Sequence, residues 1–103
     1  MKRIVVVLVA AALGSPVLAE ETAKCEQTIA EAQQDFVNAH YADSIAKART
    51  CVKEQPGRAW RLIGASACML KDRATAVDAY GKLDAQGRNF LKYVCSRSNI
   101  TLP

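Results

Sequence analysis

Between Trp60 and Leu83 the chain carries two helical periods in succession, and the rest of it has to be arranged around them. Trp60, Ile63, Gly64 and Ala67 recur at i, i+3, i+4 and i+7, which puts them on one face of a helix. Lys71-Asp72-Arg73 then interrupts the pattern with a polar stretch of the kind that joins two helices. Ala76, Tyr80 and Leu83 resume it on one face of a second helix. Gly64, Ala67 and Ala76 are small where two backbones must approach, and Trp60 and Tyr80 are large enough to fill the ends. The stretch therefore predicts a helical hairpin.

Taken position by position, the same stretch resembles the tetratricopeptide repeat, whose signature is Trp-x2-Leu-Gly-x2-Tyr, then Ala-x3-Phe, then Pro. The chain reads Trp60-x2-Ile63-Gly64-x2-Ala67, followed by Ala76-x3-Tyr80-x2-Leu83. It departs at Ala67, where the family has Tyr, and at Arg88, about where the family's Pro would stand. An earlier hairpin follows the frame less closely. Cys25, Ile29, Ala32 and Phe36 predict a helix over Thr22–Asn38, and Ala39 to Ala42 a turn. A helix capped by Asp43 follows, with Ile45, Ala48, Cys51 and Val52 inward, and Pro56-Gly57 stops it near Glu54. Ser44 and Ala76 are equivalent in this frame, 32 residues apart. After a turn over 84–87, Arg88 to Arg97 closes the series, with Phe90, Leu91, Val94 and Cys95 on its apolar side and Ser98–Pro103 as a tail. The expectation is an all-α fold: a short tetratricopeptide-like solenoid of about five antiparallel helices, two hairpins plus a closing helix.

That domain is expected to span 20–103. Residues 1–19 read as a signal peptide: Lys2 and Arg3 are followed by an apolar run from Ile4 to Leu13, by Gly14-Ser15-Pro16, and by Val17 and Ala19 before Glu20. The run is about half the roughly 20 apolar residues a membrane helix needs, so no membrane span is expected after cleavage. The mature chain is expected to be exported, to a bacterial periplasm or out of the cell. Removing Lys2 and Arg3 lowers the formal charge from +4 to +2. Up to Asp43 acids dominate, against Lys24 alone, whereas 44–103 holds eleven Lys and Arg against four acids. These cations are spread singly over helices without interleaved aromatics, which argues against nucleic acid.

The cysteines are Cys25, Cys51, Cys68 and Cys95, each on an apolar face. No CxxC occurs and there is one histidine, His40, so neither a redox pair nor structural zinc is expected. In an exported chain an even count points to disulfides, and four cysteines allow three pairings. In the antiparallel stack that the resemblance implies, Cys25 and Cys51 fall at one end of the first hairpin. Cys68 and Cys95 fall together at the opposite end. Cys25–Cys51 and Cys68–Cys95 are the expected bonds, because Cys51 and Cys68 would stand beyond the Cα separation of about 4.4–6.8 Å that a bridge needs.

No catalytic constellation presents itself. His40 and Asp43 have no Ser or Cys nucleophile placed with them, and there is no phosphate loop. An enzyme is not expected, nor a metal or cofactor. The resemblance implies a groove, formed by the first helix of each hairpin, that holds a peptide or helix of a partner. Arg58, Arg61 and Ala65 should face it, with Lys92 nearby: arginine holds carboxylates through paired hydrogen bonds, and alanine leaves room for a ligand backbone. The partner is then expected to be a protein or peptide offering an acidic segment. The competing expectation is a structural subunit that caps or extends a helical envelope assembly, or self-associates through its acidic first helix and basic remainder.

Overall fold

In the computed structural model residues 16–103 are described, and the fold is all-α. Five helices follow in order: α1 (Pro16–Val37), α2 (Tyr41–Arg49), α3 (Pro56–Met69), α4 (Arg73–Gly81) and α5 (Ala85–Ser96). No strand occurs among the described residues. The expected signal peptide lies outside them except for residues 16–19, which form the first turn of α1.

Cross-helix contacts give the directions. Cys25 meets Cys51, and the Ser44 hydroxyl donates to the Ala32 carbonyl at 2.9 Å, so α1 and α2 run antiparallel. Gly64 meets Leu91 and Cys68 meets Cys95, so α3 and α5 run parallel. The central helix, α3, packs against all four others. That position explains its composition: beside Ile63, the buried Gly64, Ala65, Ser66, Ala67 and Cys68 are small, which lets four neighbours approach one helix.

A 32-residue repeat is built into the backbone. α2 and α4 are both nine residues long and start at Tyr41 and Arg73; α1 and α3 end at Val37 and Met69. Each of those ends is closed the same way. Ala39 (φ 65°) and Lys71 (φ 63°) adopt left-handed backbone, and the next N–H turns back to a helix carbonyl: His40 N to Asp35 O at 2.7 Å, Asp72 N to Ala67 O at 2.8 Å. α5 ends alike, with Asn99 at φ 63° and Ile100 N donating to Cys95 O at 2.9 Å. The fully buried Ser44 and Ala76 are equivalent in this frame, at the spacing expected from the sequence.

Several helix starts differ from expectation. α2 begins at Tyr41 rather than after Asp43, because the left-handed Ala39 reverses the chain within three residues; Asp43 sits in the first turn and caps nothing. Pro56 does not stop a helix but opens α3, where its missing N–H is not needed, and α2 ends earlier, at Arg49. Asp72 and Asp84 are the side chains that cap: Asp72 accepts from Thr75 N at 3.1 Å, and Asp84 accepts from Gly87 N at 2.8 Å. The tail packs. Ile100 and Leu102 are buried, while Lys71 Nζ donates to the Ser98 carbonyl and Arg73 to the Thr101 carbonyl.

Candidate functional site

Helices α1, α3 and α5 enclose a cleft of about 620 Å³. Phe36 and Val37 contribute one wall from the end of α1, Leu62 and Ala65 the floor from α3, and Phe90 the far wall from α5. Phe36 is held by an edge-on contact with Tyr41, ring centroids 5.5 Å apart, so the start of α2 steadies this wall. Val37 is 74% exposed and Phe90 43%, an arrangement that leaves apolar surface facing water inside a concavity.

Three polar residues complete the lining: Gln33, Arg58 and Arg61. Arg58, at the mouth, is already engaged, one terminal nitrogen donating to Glu26 Oε1 at 3.2 Å and to Gln55 Oε1 at 2.9 Å. Arg61 differs. Its Nε is shut off from solvent without a hydrogen-bond partner, and the guanidinium makes no ion pair among the described residues. Because Nε is out of reach of solvent, an acceptor brought from outside would meet the terminal nitrogens of this cleft-lining residue.

The structure thus brings Arg58, Arg61 and Ala65 into one cleft. Lys92 is not in it. On α5 the residue facing the cleft is Phe90, and two positions further the helix has turned about 200°. Lys92 Nζ instead lies 5.8 Å from the centre of the Tyr80 ring, where Arg88 also lies at 5.2 Å; Lys82 covers Trp60 at 5.2 Å. These cations are spent on aromatic faces and on the last carbonyls of α4, which Arg88 binds at Tyr80 and Gly81. Gln33, Phe36, Val37, Leu62 and Phe90 line the cleft without having been marked for it by the sequence pattern. The 32-residue frame carries the signal for one of them, since Gln33 is the α1 counterpart of Ala65.

The cysteines pair as Cys25–Cys51 and Cys68–Cys95, with Cα separations of 5.6 and 5.2 Å, and none is free. Beside the first bond is a smaller hollow of about 210 Å³, lined by Lys24, Thr28, Thr50 and Glu54 as well as the two cysteines. His40 faces Asp35 at 4.0 Å rather than Asp43, and Asp35 is taken by Lys47 at 2.7 Å. That bond raises the Lys47 pKa above its ordinary value, and the Thr75 hydroxyl and N–H hold the Asp72 carboxyl below the usual carboxylate range. Neither residue lines the cleft. Among the described residues no group of three or more His, Cys, Asp or Glu converges as metal ligands, and no helix is long and apolar enough to cross a membrane. No protein-family model, curated protein or solved structure matches the chain.

Proposed function

We propose that the chain is an exported, non-enzymatic interaction module, a tetratricopeptide-like stack whose cleft between α1, α3 and α5 holds an acidic peptide or helix of a partner protein. The observation that carries this reading is Arg61, a guanidinium that lines the cleft beside Phe36, Leu62 and Phe90 and makes no ion pair among the described residues. Apolar side chains of the guest would cover Phe90 and Val37, while a side-chain or C-terminal carboxylate would fill the guanidinium fork. Export is supported by the Lys2–Ala19 signal pattern and by the two disulfides, which persist in oxidising compartments.

The test is fluorescence polarisation with a labelled octapeptide of alternating glutamate and leucine. Arg61→Ala should weaken binding about tenfold or more, the usual worth of a charged hydrogen bond, and leave the melting temperature nearly unchanged. Equal affinity of wild type and Arg61→Ala would sink the proposal. Sedimentation at two salt concentrations separates it from the structural reading, which requires salt-dependent self-association.

A further inference from the structure

The polar cluster at the mouth of the cleft is tied to a disulfide by chain continuity. Glu26 follows Cys25 directly, and Gln55 N donates to the Cys51 carbonyl at 2.9 Å. Gln55 Nε2 donates to Glu26 Oε2 at 2.9 Å, and both side chains accept from the same nitrogen of Arg58. The Cys25–Cys51 bond therefore stands immediately behind the groups that hold Arg58 away from a guest. It is also the main anchor of that part of α1, because Cys25 is the sole buried side chain from residue 22 to residue 28.

The two disulfides differ in access. Cys68 and Cys95 are completely buried, whereas Cys25 retains 7% exposure at the edge of the 210 Å³ hollow. An incoming thiolate meets opposite influences there, Lys24 on one side and Glu54, whose Oε1 is 3.7 Å from Cys25 Sγ, on the other.

The geometry points to a redox-set lock on the cleft: the intact Cys25–Cys51 bond pins Glu26 against Arg58, and reduction of that bond frees Arg58 for an acidic guest. The inference rests on the reading that the cleft takes an acidic segment. The reductant is a dithiol. One of its thiolates attacks a sulfur of the bond and expels the other cysteine as a thiolate, which takes up a proton; the second thiol resolves the mixed disulfide. Two electrons and two protons have then passed to Cys25 and Cys51, and the dithiol has closed to its own disulfide. Without the bond, residues 22–28 have only the Cys25 side chain buried, and this stretch opens locally while α2–α5 stay folded on the buried second disulfide. The lock is weak by construction. The Arg58 and Glu26 side chains are 42% and 59% exposed, so a change of about two- to fivefold is the scale to expect.

The experiment reads the lock without relying on a guest. Full-length mature protein is treated with limiting dithiothreitol, alkylated and mapped, and Arg58 is labelled with phenylglyoxal in wild type, in Cys25→Ser with Cys51→Ser, and in Glu26→Gln. Glu26→Gln keeps both disulfides, so it remains informative should the double variant fold poorly. The expected result is alkylation of Cys25 and Cys51 before Cys68 and Cys95, with Arg58 labelling up about two- to fivefold in the reduced protein and in Glu26→Gln. Affinity for the glutamate–leucine peptide should rise by a similar factor. Labelling that rises in Glu26→Gln but not on reduction removes the redox link. Unchanged labelling in both, or earlier reduction of Cys68–Cys95, overturns the lock. A peptide that binds no form while Arg58 labelling still responds overturns the proposed function and leaves the lock standing.

Discussion

A Cβ placed on Gly64 would lie 2.6 and 2.8 Å from the two Leu91 methyl carbons and 3.1 Å from the Ala79 Cβ. Leu91 is wholly buried, so its methyl carbons would have to shift within a packed core, and the glycine lets α3, α4 and α5 meet without that shift. Gly64→Ala should cost about 1–3 kcal/mol through overpacking, against which the better helix propensity of alanine returns about 1 kcal/mol. Urea denaturation checks it; an unchanged midpoint would mean that Leu91 finds another rotamer. Ala39 makes the opposite case. It is exposed, holds φ at 65°, and carries a side chain that left-handed backbone disfavours. Ala39→Gly is expected to raise stability by roughly 0.5–1 kcal/mol, the remainder being lost to the greater freedom of glycine in the unfolded chain. A lower midpoint in thermal melts would contradict that.

Among the helices, α4 depends on its cap. It is nine residues long, and Asp72 binds both the backbone N–H and the hydroxyl of Thr75. These bonds favour the carboxylate and hold the folded-state pKa below the ordinary 3.8. The sign follows from linkage: the stabilisation is complete above the ordinary value and is lost as pH falls through the lower folded value. Acid unfolding should therefore become less steep below about pH 4 in Asp72→Asn, as followed by circular dichroism against pH. An identical acid limb in the variant would show that other carboxylates control it. The Lys47–Asp35 bond between α1 and α2 behaves in the reverse sense. Its contribution is complete below 10.5 and is lost as pH rises through the raised folded value.

For the molecule as a whole, the question is what holds α5 in place. Among the described residues no helix pairs with α5 from its C-terminal side, and its place beside α3 is kept by Cys68–Cys95 and by a tail that buries Ile100 and Leu102. The disulfide spans 27 residues of chain, and cross-linking a loop of that length restricts the unfolded chain by about 3–4 kcal/mol. Cys68→Ala with Cys95→Ala should lose about that much in urea denaturation, and should do so even though both alanines remain apolar in a buried site. A loss below about 1 kcal/mol would mean that the tail and α3 hold α5 unaided.

Much of this was readable from the chain. The 3.6-residue periods of Trp60–Ala67 and Ala76–Leu83 require helices that bury those faces, and a short polar link between them forces a hairpin. Once neighbouring helices alternate in direction, the positions of Cys25, Cys51, Cys68 and Cys95 leave the observed pairing as the one with both bonds in reach. The positions of Arg58, Arg61 and Ala65 on the cleft side of α3 follow from the same period. The helix starts were hidden, because Ala39 and Lys71 take left-handed backbone without the glycine that usually signals it, and because Pro56 can close one helix or open another. The cleft walls were hidden for a different reason. Periodicity assigns a residue to a face, but Phe36, Val37 and Phe90 stand at the edge of their faces, and whether an edge meets a neighbour or an opening depends on how the helices stack. The same dependence sent Lys92 to Tyr80 and brought Glu26 onto Arg58, a contact across 32 residues that no local pattern contains.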